Sequence, residues 1–317
     1  MEKGKIDRGP GITARLWDSS LIQNSASESI QFGQRSEMKG SLIMKKLMIA
    51  ASAALCATVG LSLESANVVG YQNKATETAQ MNWTCNTFVP VNGDTMTLGD
   101  ITVTEGFVNS AITFLQPSGL TKEVYCEGLG KTVREQYVYW FEEDDPEQGA
   151  GWYFKADEDG EFNQNSRVIA LGEGYYVQGT GKEIGESLIF SGTVKDTSTA
   201  LVTTTAQMNW FGNCSPTKIT LGDITVSEGF VNSAITFLQP NGLTKEVYSE
   251  GLEKTVREQY VYWFEEDDPE QGAGWYFKAD EDGEFNQNAR EIEAGAGFYV
   301  QGTGKEIGES IVIPSAL

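Results

Sequence analysis

From Tyr137 to Phe141 every position is apolar or aromatic. In an extended chain Tyr137, Tyr139 and Phe141 share one face and Val138 and Trp140 the other. A strand apolar on both faces is covered on both sides. An acidic stretch with Pro146 and Gly149 follows, then Gly151-Trp152-Tyr153-Phe154, which predicts the returning strand of a hairpin. Ala111 to Leu115 reads as a short strand closed by Gln116-Pro117-Ser118-Gly119. Glu123 to Glu127 alternates around Val124 and Cys126, and Gly174 to Gln178 and Ser187 to Phe190 supply two more strands. Only Val103 to Ala111 and Thr132 to Gln136 read as helical turns. Short strands with a turn about every ten residues predict an all-β chain of sandwich or barrel-like modules.

The eighteen residues Tyr137 to Phe154 return unchanged at Tyr260 to Phe277, 123 positions later. Thr78-Ala79-Gln80-Met81-Asn82-Trp83 returns at Thr205 to Trp210, offset by 127, so the first copy holds four extra residues between Trp83 and Leu98. A period of this size is that of a small domain, not of a solenoid repeat. The pattern divides the chain into an upstream segment 1–43, an export segment 44–66, a short leading segment 67–77, a first β-module 78–194, a Thr/Ser-rich linker 195–204 and a second β-module 205–317. The modules are expected to sit as beads on that linker, either apart or touching.

Met44-Lys45-Lys46, the apolar run Leu47 to Leu61 and the small residues that follow have the order of a secretory signal peptide. Residues 1–43 carry neither apolar period nor strand alternation and read as an over-extended reading frame or a disordered tail. Removing the eight basic and six acidic residues of 1–66 from the totals of 23 and 45 leaves a net charge of −24. Repulsion then opposes nucleic acid and anionic lipid as partners. No histidine is present, which excludes Ser-His and Cys-His catalytic pairs and imidazole zinc sites. Cys85 and Cys126 are both absent from the second copy, where Gly212 and Ser249 stand in their places. That joint absence fits a Cys85–Cys126 disulfide in an exported protein; three reduced, buried thiols are the competing account.

Two chemistries can be drawn from the repeats. Asp157, Asp159 and Asn163, with Asp280, Asp282 and Asn286 in the second copy, alternate around Gly160 and Gly283 like part of an EF-hand loop, and are the candidate Ca²⁺ ligands against a plain polar turn. The acidic tips Glu142 to Glu147 and Glu265 to Glu270 are a second Ca²⁺ candidate, or solvated loops. No cofactor is required. Tyr139, Trp140 and Trp152, with Tyr262, Trp263 and Trp275, are the candidate sugar-stacking aromatics; the competing account places them in the core.

Ala66-Asn67-Val68-Val69-Gly70-Tyr71, Leu98-Gly99-Asp100-Ile101, Gly151-Trp152, Gly172-Glu173-Gly174-Tyr175-Tyr176-Val177 and Ser191-Gly192-Thr193-Val194 together resemble a group of secreted bacterial β-repeat proteins of uncharacterised function. The second copy keeps most of these, with Gly295-Ala296-Gly297-Phe298-Tyr299-Val300. The resemblance implies export and a β-rich module, and carries no catalytic residues. The expectation is an exported, non-catalytic tandem-repeat protein, periplasmic, at the cell surface or outside the cell, with a structural or adhesion role. Its partner would be a glycan or another surface protein, with no membrane insertion after signal cleavage. The alternatives are a tandem carbohydrate-binding protein and a polysaccharide hydrolase, although nothing selects an acid and a nucleophile among its many carboxylates.

Overall fold

The computed structural model describes residues 69–91, 95–104, 107, 110–141, 149–160, 162–178, 186–230, 233–264, 272–280, 283, 285–301 and 308–315. The acidic tips, the export segment and Asp282 lie outside them. Among the described residues the regular structure is nearly all β, and the only helical pieces are 3₁₀ turns of three residues such as Leu98–Asp100. No helix there is long and apolar enough to cross a membrane.

Each repeat builds the same set of antiparallel sheets. In the first, a five-stranded sheet runs in the spatial order Met81–Cys85, Gly174–Gln178, Ala111–Thr113, Gln136–Trp140, Gly151–Phe154. The predicted hairpin is its far edge, with Tyr137 opposite Phe154 and Tyr139 opposite Trp152. A three-stranded sheet, a two-stranded ribbon and the hairpin Glu123–Cys126 with Lys131–Arg134 complete the repeat. Their inner residues meet in one core: Tyr137, Trp152, Tyr175 and Val177 from the large sheet, Leu188 and Phe190 from the three-stranded sheet, Met96 and Ile169 from the ribbon, and Val133 from the hairpin. The second repeat forms its own core from the counterparts, Tyr260, Trp275, Phe298 and Val300 among them.

Three expectations change. Thr132 to Gln136 is not a helical turn: Lys131–Arg134 is a strand, with Val133 turned inward opposite Val124 while Thr132 and Arg134 face water. The leading segment and the linker each contain a strand. Val69–Ala75 pairs along its length with Ser187–Thr193, and Thr199–Val202 pairs in the same way with Ser310–Ile313, so each is the first strand of its repeat. The first has no buried position along it and the second is only four residues long, and the partner strand is what shows them to be strands.

The Leu-Gly-Asp-Ile stretch owes its form to local bonds. Leu98 is fully buried, and the Asp100 carboxylate accepts from both the amide and the hydroxyl of Thr97 at 2.8 Å, closing a capping box on the 3₁₀ turn. Gly99 donates its amide to the Asn165 carbonyl at 2.9 Å, and Asn165 Oδ1 accepts the Trp152 amide at 2.9 Å. Asn165 thereby ties this turn to the aromatic hairpin.

The repeats are docked on each other rather than strung as beads. Along Met81–Cys85 the outward positions Met81, Trp83 and Cys85 all touch the second repeat. Along Gly174–Gln178, Tyr175 and Val177 point into the core, while Gly174 and Tyr176 face the other repeat or its Trp83 neighbour. The contacts are reciprocal, as in a two-fold dimer. A Cβ on Gly174 would stand 2.6 Å from the Phe211 carbonyl oxygen, and one on Gly297 would stand 2.7 Å from the Thr84 nitrogen. The second Gly of each Gly-x-Gly stretch therefore admits the partner's backbone where no side chain fits.

Candidate functional site

The site with the most concentrated chemistry lies on the internal two-fold axis. Gln116 to Gly119 is a β-turn with Pro117 second and Gly119 at φ 81°, and Gln239 to Gly242 is its copy. Each turn presents two carbonyls to the opposite repeat. Trp83 Nε1 donates to Gln239 O and Trp210 Nε1 to Gln116 O, both at 3.0 Å. The Met81 amide donates to Pro240 O at 2.9 Å, and the Met208 amide to Pro117 O at 3.1 Å. The two indoles stack at the centre, each with a tyrosine edge against it, Tyr176 on Trp83 and Tyr299 on Trp210.

A cleft of about 550 Å³ opens over this arrangement, lined by the two tryptophans, the two tyrosines, Met81, Met208 and the leucines of both turns. Leu120 and Leu243 stand 66% and 65% exposed at its rim. Ser118, Thr121 and Thr244 add hydroxyls, and no lining residue is charged. In a chain of net charge −22 that neutrality is selective: the cleft suits a neutral ligand with apolar faces and hydroxyls.

The aromatics expected to stack on sugar lie elsewhere. Trp152 and Trp275 are fully buried in the two cores. Tyr139 and Tyr262 pack their edges on those tryptophans at 5.3 Å between ring centroids, and Trp140 and Trp263 are half-buried beside them. Trp152, Trp275, Tyr139 and Tyr262 are core aromatics, because a sheet of this size needs large side chains to fill its interior, while Trp140 and Trp263 lie outside the two cores. Trp83 and Trp210 sit in the first motif that marks the repeat. Their one signal was that an apolar residue follows a polar turn in each copy.

Among the described residues the candidate Ca²⁺ ligands are not gathered into one group. Asp157 turns back under its own loop: its Oδ2 is 3.3 Å from the Cys126 thiol, and Gly128 and Gly160 leave room for it where a Cβ would clash. Asp280 is tucked against Gly251 and Gly283 in the same way. Asn163 and Asn286 instead accept the amides of Asn165 and Asn288. Asp159 joins no ligand set, and among the described residues no group of three or more Cys, Asp or Glu side chains is placed to hold a metal.

The expected Cys85–Cys126 disulfide is absent: both are free thiols, as is Cys214. Cys126 lies on the small hairpin against Asp157, whereas Cys85 lies across the repeat boundary, its Sγ filling the space above Gly212. The absence of both cysteines from the second copy has two separate causes. Gly212 has to be small because Cys85 rests on it, and Ser249 instead accepts the Leu252 amide.

The buried charges were not legible beforehand. Glu135 is held by Lys122 at 2.9 Å, Arg167 at 2.8 Å and the Tyr137 hydroxyl at 3.2 Å. Glu258 is held by Lys245, Arg290 and Tyr260 in the second repeat. Burial, with the adjacent carboxylate adding to it, drives both tyrosine hydroxyls well above their usual range. The Glu135–Arg167 and Glu258–Arg290 partners are 32 residues apart and lie between strands, so they leave no local pattern.

The chain matches no family model, no curated protein sequence and no solved structure.

Proposed function

We propose that the chain is an exported, non-catalytic adhesion or structural component, and that its inter-repeat cleft recognises a neutral carbohydrate. The uncharged aromatic cleft on the two-fold axis carries this reading. Sugar rings present apolar faces to indole and phenol rings and hydroxyls to Ser and Thr, and the lining offers both. Export rests on the basic, apolar, small order of Met44 to Ala66. The buried carboxylates Glu135 and Glu258 are each engaged by a lysine and an arginine, which favours a structural role for them over an acid–base one.

A glycan array run with the purified chain tests the reading. Binding to neutral glycans that is lost on changing the exposed rim residues Leu120 and Leu243 to Asp supports it. Binding that these changes leave untouched places the site elsewhere, and no binding removes the carbohydrate from the proposal and leaves the structural role. N-terminal sequencing of the secreted protein tests export, with a first residue between 61 and 67 expected.

A further inference from the structure

The internal two-fold axis relates two half-sites that differ in charge. In the first, Arg167 donates through Nε to Glu135 and closes its two terminal nitrogens on the Glu173 carboxylate, at 3.0 Å from Nη1 and 2.8 Å from Nη2. The Phe114 ring lies 3.8 Å beneath the guanidinium. Glu173 also makes a backbone bridge to Phe211 of the second repeat, and Leu201 packs over the neighbouring Gly172. This half-site is filled by its own side chains.

The second half-site keeps the frame and loses the filling. Arg290 donates through Nε to Glu258 at 2.6 Å and lies over Phe237 at 5.2 Å. The position of Glu173 is taken by Ala296, which bridges Thr84 as Glu173 bridges Phe211. The position of Leu201 is taken by Lys74, packed over Gly295 and bonded to the Ala294 carbonyl. Arg290 Nη2 also reaches Glu258, at 2.5 Å, but among the described residues no second carboxylate closes on its two terminal nitrogens as Glu173 does on Arg167, and the Arg290 side chain is 29% exposed against 14% for Arg167. A pocket of about 500 Å³ opens there, with Arg290, Lys74 and Lys245 on its wall and Met81, Trp83 and Phe237 as apolar surface.

We propose that this pocket binds a small organic monocarboxylate with an apolar body. Its carboxylate takes the seat on Arg290 that the Glu173 carboxylate fills on Arg167, a paired geometry for which a guanidinium is built. Its body lies against Trp83 and Phe237. The surrounding charge sets the valence. Glu77, Glu291 and Glu293 also line the pocket, all exposed, and Glu291 is paired with Lys218 at 2.8 Å. Glu258 is buried and already engaged by Lys245 and Arg290. These carboxylates repel a second negative charge, so a dianion such as a phosphate monoester is disfavoured while one carboxylate is accepted. Burial lowers the proton affinity of Lys74, which a bound anion beside it would restore.

The pocket shares Met81 and Trp83 with the cleft on the axis, but the probes below contain no sugar and the variants change Ala296 and Arg290, which do not line that cleft, so this proposal and the carbohydrate reading fail independently. The test is calorimetric titration of the full chain with benzoate, phenylacetate and hexanoate, each against its neutral amide. Saturable binding of at least one acid, with the amide weaker by about tenfold or more, is expected. Ala296→Glu installs the side chain that the first repeat already carries at this place. It should abolish binding and raise the melting temperature. Arg290→Lys keeps the charge but removes the fork, and should weaken binding by about tenfold. No saturable binding up to about 10 mM, equal binding of acids and amides, or undiminished binding by Ala296→Glu would each overturn the proposal.

Discussion

Trp83 and Trp210 lie face to face across the repeat boundary, ring centroids 5.4 Å apart and planes 8° from parallel. Each also gives its indole N–H to a turn of the other repeat. The pair therefore joins the repeats by stacking and by two bonds that neither repeat makes alone. Replacing either tryptophan with alanine should cost about 3 kcal/mol of stability. The two changes should not add: a double-mutant cycle by urea unfolding is expected to give a coupling of about 1 kcal/mol. Full additivity would mean that the rings do not support each other.

Gly174 and Gly297 test the docking from the backbone side. A methyl group at either position meets the other repeat's main chain at under 3 Å, and backbone cannot step aside as a flexible side chain can. Combining Gly174→Ala with Gly297→Ala should part the repeats while each core stays intact. Small-angle scattering should show a larger radius of gyration, and thermal unfolding should broaden or split. An unchanged scattering profile would contradict the docked arrangement.

Tyr175 carries a hydroxyl into the first core, where it has no hydrogen-bond partner among the described residues, and the second copy has Phe298 at the same place. An unsatisfied buried hydroxyl is a net cost. Tyr175→Phe is expected to be neutral or to stabilise by up to about 1 kcal/mol, read as an upward shift of the urea midpoint. A loss of stability would show that the hydroxyl has a partner.

Alkaline pH should weaken the fold through its buried thiols. Burial raises Cys214 from its ordinary 9.0 to about 11 and raises Cys85 as well, since neither thiolate can be solvated in place. The unfolded chain releases these protons from about pH 9, whereas the folded chain holds them. The unfolded state then binds fewer protons, so stability falls as pH rises from 9 to about 11 and is independent of these groups below pH 9. For Cys214 the loss reaches about 3 kcal/mol over that window. Cys214→Ala, measured in reducing buffer, should show a shallower decline of melting temperature above pH 9. An identical decline would assign the effect to other groups.

Strand existence was readable wherever apolar residues alternate or run together, as from Tyr137 to Phe141, because burial on a pleated sheet imposes that pattern. The repeat was readable by identity alone. Val69–Ala75 and Thr199–Val202 escaped because a half-exposed edge strand, one of them only four residues long beside a Thr/Ser-rich stretch, reads as a linker until its partner is in place. The place of Trp152 and Trp275 in the cores was hidden for a related reason. A tryptophan in a strand reads the same whether the surface it faces is core, as for Trp152, or another repeat, as for Trp83.

By itself the sequence determined the all-β class, the duplication, the acidity and the absence of histidine chemistry, since each follows from composition, local alternation or identity. Only the tertiary structure decided that the two repeats dock reciprocally, that Gly174 and Gly297 are the points of closest approach, and that Ala296 leaves Arg290 without the carboxylate that Glu173 gives Arg167. Those relations join residues tens to more than a hundred positions apart. Their energy comes from packing and charge across a boundary that no local window of sequence contains.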